Sequence, residues 1–412
     1  MAEMSQPKGR MLSDGLRKHD DVCVSPAKLK PDIMKILAAS SDISSNISKI
    51  RLKIPLEAVC KEAGWGLSLK SIHEISLRDI DWCDIFILQR CTNSKSLKLC
   101  RRIKSCNKFF IFEIDDLLPK VPSFLMLGKL KPPLEFASVV ELCDIVSTTN
   151  NRLGLKITEG KKRFFISENY RFPYFFQKAK HDEMSNIKAS IIIAASDSIL
   201  IDFIIPSLFL LLKEYGDGIK IITIGHTSKA VNSAGIISIS HPILPHSDFM
   251  SLVSRLENPI GLLPLDDSEF SSCKSPIKYF DYSSIGVPSV ASDHPPYNEV
   301  IDNGVTGFLV KNTAQDWFEK VQALIENVAL RQQIGFAAME HVNKNHSLEK
   351  NTQQWKQALL SVVLNDRPQG SRHFRFLAYA ADDLVRFLRT LNRKRLALWH
   401  WWQKIFIKHA DY

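Results

Sequence analysis

PLDDSEFSSCKSPIKYFDYSSIGVPSVASDHPPYNEVIDNGVTGFLV, residues 264–310, is the stretch that decides the fold. It follows an apolar run at residues 260–263 and continues as a polar loop, a short helical pattern, Gly286-Val287-Pro288, a second apolar run and a glycine-containing turn. Apolar runs that alternate with helical segments predict parallel strands joined by helices. The stretch therefore predicts one strand, loop, helix and strand of a parallel α/β sheet.

Ser275 and Pro276 mark the predicted start of that helix. Serine is a preferred N-cap, and proline suits the first helical position because its missing N–H would have no partner there. The amides of a first helical turn and the positive end of the helix dipole favour an anion, and Lys274 and Lys278 stand on either side of the turn. The pattern predicts a phosphate site, although an ordinary capped helix of an α/β protein would show the same residues.

The same residues carry a resemblance to a known family. The donor-site signature of the group 1, family 4 glycosyltransferases resembles Ser275, Pro276, Lys278, Asp281, Tyr282, Gly286 and Pro288. The similarity covers residues 190–362 well and residues 32–170 more loosely. It implies that Asp281 holds the ribose of a sugar nucleotide. Cys273 stands where the family has a first glutamate, which contacts the donor sugar, and Asp281 stands where it has a second.

The composition is that of a soluble globular protein of 412 residues, with 45% hydrophobic and 24% charged residues, which is long enough for two domains. No apolar run approaches the roughly 20 residues of a membrane span, and the first ten residues lack an apolar signal region, so we expect a cytoplasmic protein. Eight cysteines lack the spacing typical of zinc sites, and we expect reduced thiols and no metal. The net charge of +10 favours an anionic partner, such as a nucleotide, an acidic glycan, a phospholipid surface or nucleic acid.

Taken in order, the chain divides into five parts. Residues 1–31 are polar and without periodicity, which is typical of a loose tail. Residues 32–170 and 189–364 each alternate apolar runs with helical segments, residues 171–188 between them form an irregular linker, and residues 365–412 form a basic tail. The predicted fold class is α/β, with two Rossmann-like domains facing each other across a cleft, the GT-B arrangement. The resemblance also implies that a helix containing Trp355 packs back across this cleft.

Polar residues at the carboxyl ends of parallel strands are site candidates, because ligands of such sheets bind there. In the first domain these positions predict catalytic carboxylates at Asp115 and Asp116 and an acceptor site at Ser44, Ser45, Arg51 and Arg90. The segment from Glu113 to Leu117 also resembles one found in bacterial surface-polysaccharide glycosyltransferases, where other members have a histidine. A solvated turn is the alternative explanation of the two aspartates. Adjacent aspartates also suggest a metal site, but no third ligand is evident and we expect none.

In the second domain, Gly225 and His226 follow a predicted strand at residues 219–224. Glycine there lets the backbone approach a ligand, and histidine could contact a base or a phosphate, although a solvated loop histidine fits equally well. Lys278 is the predicted catalytic residue on this side, because it would stabilise the departing diphosphate. The predicted donor site comprises Gly225, His226, Cys273, Lys274, Ser275, Pro276 and Asp281.

Residues 374–410 place leucines and tryptophans near helical spacing, with many arginines and lysines between them. This pattern is typical of an amphipathic helix that lies on an anionic membrane surface. A helix that packs on the body of the protein or in a homo-oligomer fits the same pattern. Nucleic acid is the poorest candidate partner, because the sequence contains no recognised binding module.

Together these features predict a hexosyltransferase-like glycosyltransferase that moves a sugar from a nucleotide-sugar donor to a glycan or lipid-linked glycan in surface polysaccharide biosynthesis. The family precedent is retention of the anomeric configuration, and we expect no cofactor beyond the substrate. Two alternatives stay open: a non-catalytic GT-B scaffold, which Cys273 and Asp281 favour, and a nucleotide-sugar epimerase with the same two-domain shape. The expected location is the cytoplasm, with peripheral attachment to the inner face of the membrane.

Overall fold

The computed structural model describes residues 34–118, 135–172, 186–194 and 204–365, with side chains up to residue 361. The predicted tail at 1–31, the amphipathic segment at 374–410 and residues 173–185 of the predicted linker lie outside the described residues. The described residues form two six-stranded sheets.

The first domain is a parallel sheet with helices between its strands. The strands are β1 (Lys35–Ser40), β2 (Gly66–Ser71), β3 (Ile85–Gln89), β4 (Phe109–Glu113), β5 (Ile145–Thr148) and β6 (Phe164–Ile166). The helices are α1 (Asn46–Ser48), α2 (Ile54–Ala63), α3 (Leu77–Trp82), α4 (Ser94–Ser105), α5 (Phe136–Leu142) and α6 (Asn151–Thr158), with a π-helical turn at Lys49–Lys53. The strand order is β2-β1-β3-β4-β5-β6. Alternate residues of the central strands enter two separate cores, one on each face, which is why these strands are apolar throughout.

The second domain repeats this plan. Its strands are β7 (Ala189–Ala194), β8 (Ile219–Ile224), β9 (Ile239–His241), β10 (Pro259–Leu263), β11 (Ser289–Ser292) and β12 (Phe308–Val310), in the order β12-β11-β10-β7-β8-β9. Its helices are α7 (Ile205–Tyr215), α8 (Thr227–Ser233), α9 (His246–Ser254), α10 (Glu269–Ser272), α11 (Ile277–Ser284), α12 (Ala314–Glu326) and α13 (Val328–Asn345). The predicted α/β class with two Rossmann-like domains is therefore confirmed.

The last described helix, α14 (Leu348–Asn365), follows the second domain in sequence but packs on the first. The ring of Trp355 lies edge-on to Phe165 with 5.1 Å between centroids, and Trp355 is fully buried. Lys356 forms an ion pair with Glu62 of α2 at 2.6 Å. This helix crosses between the domains, as the resemblance implies, and ties the first domain to the end of the second.

A close contact between two glycines fixes the far end of α11. Gly286, just after α11, has a φ of 71°, a left-handed conformation that glycine adopts without strain. Gly335 of α13 lies so near that a Cβ atom on it would be 2.3 Å from the Gly286 carbonyl oxygen. The two segments can approach this closely only because Gly335 has no side chain, whereas a Cβ atom on Gly286 would lie 3.9 Å from the Gly335 carbonyl oxygen, an ordinary contact.

We therefore expect Gly335→Ala to destabilise the protein. Alanine favours an ordinary helix interior over glycine by about 1 kcal/mol, but overpacking against a backbone carbonyl costs about 1–3 kcal/mol. The midpoint of urea unfolding should fall. Gln332→Ala, at an exposed position of the same helix, is the control and should leave the midpoint unchanged or slightly raised. If Gly335→Ala raised the midpoint, α13 could move to make room for the methyl group, and its contact with Gly286 would not hold the end of α11 in place.

Candidate functional site

The second-domain part of the site follows β10. Helix α11 begins at Ile277, with Pro276 in the N-cap position and no side chain capping the first turn. The predictions that Ser275 is the N-cap and that Pro276 is the first helical residue are therefore wrong. The Ser275 hydroxyl instead accepts a hydrogen bond at 2.7 Å from Asn169 Nδ2, which reaches across from the first domain.

A cavity of about 270 Å³ lies between the two domains. Its lining from the first domain includes Arg51, Arg90, Asp115, Asp116 and Asn169. Its lining from the second domain includes Lys274, Ser275 and Lys278. The structure thus brings the three predicted catalytic residues together with part of each predicted binding set, at the carboxyl ends of the strands.

Two lysines supply positive charge on the second-domain wall. Lys278 Nζ lies 4.0 Å from the centroid of the Phe249 ring and 3.6 Å from Asp281 Oδ2. Lys274 Nζ lies 5.0 Å from the centroid of the Phe270 ring. An aromatic ring stabilises an ammonium group without neutralising it, whereas the Asp281 carboxylate offsets part of the charge of Lys278.

On the opposite wall, Arg90 holds both predicted catalytic carboxylates. Its Nε donates to Asp115 Oδ1, and its Nη2 donates to Asp116 Oδ2. Burial opposes the charge on Arg90, but the two aspartates outweigh burial and raise the pKa of Arg90. Burial, followed by the charge of Asp115, raises the pKa of Asp116, whereas Arg90 and Lys274 lower it. Paired carboxylates beside a cavity are candidates for moving a proton.

Arg51, a predicted acceptor residue, is only 2% exposed and belongs to a polar network beneath the cavity. Its Nε donates to Glu113 Oε1 at 2.7 Å, and its Nη1 donates to the Ser167 carbonyl at 2.5 Å and to Asn169 Oδ1 at 3.0 Å. Gln89 Nε2 donates to the other Glu113 oxygen at 2.8 Å. Burial raises the pKa of Glu113, and Arg51 opposes that rise. Most of Arg51 is thus engaged by the protein, and its Nη2 is the atom without a partner among the described residues.

Asp281 does not line the cavity in this structure. It is 2% exposed, and its Oδ1 lies 2.8 Å from His246 Nε2. The His246 ring in turn packs on Phe172, with 4.2 Å between ring centroids. The ribose contact that the resemblance implies for Asp281 stays a prediction.

Other predicted site residues also lie outside the cavity lining. Cys273 is fully buried, because it packs with Phe270 into the core of the first domain. Its side chain therefore does not stand where a donor sugar could contact it. The remaining predicted residues outside the cavity are Gly225, His226, Pro276, Ser44 and Ser45. Gly225 donates its N–H to the His241 carbonyl, His226 is exposed, and Ser44 and Ser45 lie near the start of α1.

The predicted sites leave out two asparagine side chains that link the two domains. Asn150 Nδ2 donates to the carbonyls of Cys273 and Lys274 at 3.0 and 3.2 Å, and Asn169 binds Ser275. Both asparagines follow strands of the first sheet, so their position at strand ends could have indicated that they belong to the site. Their partners come from the other domain, and no local pattern in the sequence identifies them.

Among residues 34–118, 135–172, 186–194 and 204–365, no group of three or more His, Cys, Asp or Glu side chains could hold a metal ion. The expectation of a metal-free site stays a prediction. The seven cysteines in these ranges are free thiols. Within the part of the chain that the structure describes, no helix has the length and apolar character needed to cross a membrane.

Comparison with known families matches a segment that begins at Ser275 and includes Lys278. Residues 275–341 match the family model described as Glycosyl transferases group 1. This match confirms the resemblance for these residues. The comparison with curated proteins finds no match to the chain.

Solved structures with the same fold include HepE of Anabaena in complex with UDP and glucose, with 11% identity, a TM-score of 0.55, and coverage of 80% of this chain and 100% of that one. The sucrose-phosphate synthase of Thermosynechococcus elongatus shares 11% identity at a TM-score of 0.55, with coverage of 81% and 100%. A glycosyltransferase of Rickettsia africae shares 15% identity at a TM-score of 0.54, with the same coverage of 81% and 100%. At these identities the likeness establishes the two-domain GT-B fold.

Removal of Arg90 should destabilise the protein in a manner that depends on pH. Arg90→Ala leaves two neighbouring carboxylates without their counter-charge, and we expect a loss on the order of 2 kcal/mol at pH 8. Without Arg90 the folded-state pKa of Asp116 lies still further above its unfolded value. Such a carboxyl favours folding at low pH and loses that contribution as pH rises through the folded pKa, so the loss should be smaller at pH 5.

Urea unfolding at the two pH values measures this effect. Arg101→Ala, at an exposed position in α4, is the matched control and should change the free energy of unfolding little at either pH. An equal loss for Arg90→Ala at pH 8 and pH 5 would show that Arg90 supports the fold by packing rather than by its charge.

Proposed function

We propose that the protein transfers a sugar from a nucleotide-sugar donor to an acceptor hydroxyl. The observation that carries this proposal is the cavity between the domains, which Lys274 and Lys278 share with Asp115 and Asp116. Lys278 lies within the segment that matches group 1 glycosyl transferases. A protein of the same fold, HepE, has been solved with UDP and glucose, which supports a sugar nucleotide as the donor.

The diphosphate of the donor would lie at the start of α11. No side chain caps this first turn, so its amides and the helix dipole can bind phosphate oxygens. Lys274 and Lys278 add two positive charges beside it. Negative charge grows on the diphosphate as the sugar leaves, so cations held in position stabilise the transition state more than the ground state.

The acceptor would enter from the side of Asp115 and Asp116. Its hydroxyl oxygen forms a bond to the anomeric carbon on the same face that the diphosphate leaves, as retention requires, and the bond from that carbon to the diphosphate oxygen breaks. The hydroxyl proton passes to Asp116 or to the leaving diphosphate. Arg90 keeps both carboxylates oriented toward the cavity.

The finer assignment rests on the resemblance and on the basic tail. We propose a glycan or lipid-linked glycan of a surface polysaccharide as the acceptor, retention of the anomeric configuration, and no cofactor beyond the donor. Residues 374–410 would hold the enzyme at the cytoplasmic face of an anionic membrane. A donor-consumption assay separates the alternatives: a transferase consumes donor only with an acceptor, an epimerase converts it alone, and a scaffold leaves it unchanged.

At least one of UDP, GDP, ADP and dTDP at millimolar concentration should raise the melting temperature, because a ligand that binds the folded state stabilises it. Lys274→Ala and Lys278→Ala should each weaken binding of that diphosphate by about tenfold, the loss of one contact to a charged group. Lys213→Ala, at an exposed position of α7, is the control and should bind normally. No shift with any of the four diphosphates would refute the donor-site assignment.

The tail should direct the protein to anionic vesicles. We expect the full chain to co-sediment with vesicles containing phosphatidylserine, and a chain stopped after Asn365, where α14 ends, to remain in solution. Binding should weaken as salt increases, because charge contributes about 1 kcal/mol per cation at the surface. Equal behaviour of the two chains would contradict the membrane hypothesis, and loss of an oligomer on truncation would favour the packed-helix alternative.

A further inference from the structure

A relay of hydrogen bonds in the cavity wall crosses from one domain to the other. Arg51 Nη1 donates to Asn169 Oδ1 at 3.0 Å, and Asn169 Nδ2 donates to Ser275 Oγ at 2.7 Å. Asn169 follows β6 in the first domain, and Ser275 precedes α11 in the second. Arg51 and Asn169 are only 2% and 8% exposed, so water competes little for these hydrogen bonds.

The partners of Asn169 fix the orientation of its amide. A guanidinium contains donors only, so the amide atom that faces Arg51 must be the oxygen, and the NH2 group must face Ser275. The opposite orientation would set two donors against each other. Arg51 is itself held by Glu113 at 2.7 Å and by the Ser167 carbonyl at 2.5 Å, so it cannot turn away without breaking a buried ion pair.

The amide in turn fixes the direction of the Ser275 hydroxyl. A hydroxyl that accepts a hydrogen bond through one lone pair must point its own proton elsewhere. Ser275 does not cap α11, and it lines the cavity. No hydrogen bond from this hydroxyl to another described residue accounts for its proton, so it is available to an acceptor oxygen in the cavity, and an ionised diphosphate oxygen, which carries lone pairs and no proton, is such an acceptor.

We propose that Asn169 is a positioning residue that aims the Ser275 hydroxyl at a diphosphate oxygen of the donor, an inference that rests on the proposed function. Asparagine suits this role because one end of its amide accepts from Arg51 while the other donates to Ser275. An aspartate would accept at both ends, and Ser275 would turn its proton toward the carboxylate. Because Asn169 and Ser275 lie in different domains, the phosphate contact is complete only when the domains are arranged as they are here.

Asn169→Asp tests the proposal with little change in side-chain size. The affinity for the tightest-binding of UDP, GDP, ADP and dTDP, measured by isothermal titration calorimetry, should fall about tenfold to a hundredfold, as for a lost hydrogen bond to a charged group. Affinity for the matching nucleoside should be unchanged, because it has no phosphate. A purely structural role of Asn169 would weaken the diphosphate and the nucleoside alike, and that result would overturn the proposal.

A double-mutant cycle separates the aiming effect from the added negative charge of Asn169→Asp. With Ser275→Ala there is no hydroxyl to aim, so Asn169→Ala should then cost almost no affinity and Asn169→Asp should cost only charge repulsion. Equal losses with and without the Ser275 hydroxyl would refute the inference while leaving the proposed function intact. An unaltered chain that binds none of the four diphosphates would instead refute the proposed function, and this inference with it.

Discussion

The buried guanidinium of Arg51 is the interaction on which the cavity depends. It joins the end of β4 at Glu113 to the chain after β6 at Ser167 and Asn169, and Glu113 extends the network to Gln89 at the end of β3. A charge out of contact with water is costly unless it is paired and hydrogen-bonded, so these groups have few other arrangements. One side chain therefore holds together the strand ends that form the first-domain wall, and through Asn169 it also reaches the start of α11.

The two walls of the cavity are built in different ways. The second-domain wall comes mainly from one continuous stretch around residues 262–278, whereas the first-domain wall combines Arg90, Asp115, Asp116 and Asn169 from three separate strand ends. A wall made from one segment leaves a pattern of fixed spacing in the sequence. A wall assembled from several strands appears in the sequence only as isolated polar residues. The family match agrees with this difference, because it begins at residue 275 and does not include the first domain.

The fold was predictable because buried parallel strands are short apolar runs, as in β4. Part of the site was predictable because polar residues directly follow these runs, and Arg90, Asp115 and Asp116 are among them. These residues meet because the carboxyl ends of parallel strands share an edge. The capping prediction at Ser275 failed because Asn169, 106 positions away, binds the hydroxyl that a local pattern assigns to the helix. Asp281 shows the same limit of local patterns. Its motif lies in one segment of the sequence, but the His246 ring that is hydrogen-bonded to its carboxylate belongs to another helix.

Lys274 and Asp116 line the same cavity from opposite domains. Burial and the charge of Asp115 raise the pKa of Asp116, while Arg90 and Lys274 lower it. Under the proposed function, a bound diphosphate places negative charge beside Lys274 and cancels much of the lysine's effect at Asp116. The pKa of Asp116 then rises further, so this carboxylate is a stronger proton acceptor with the donor bound than without it. Donor binding would thus strengthen the base on the acceptor side just when an acceptor hydroxyl can use it.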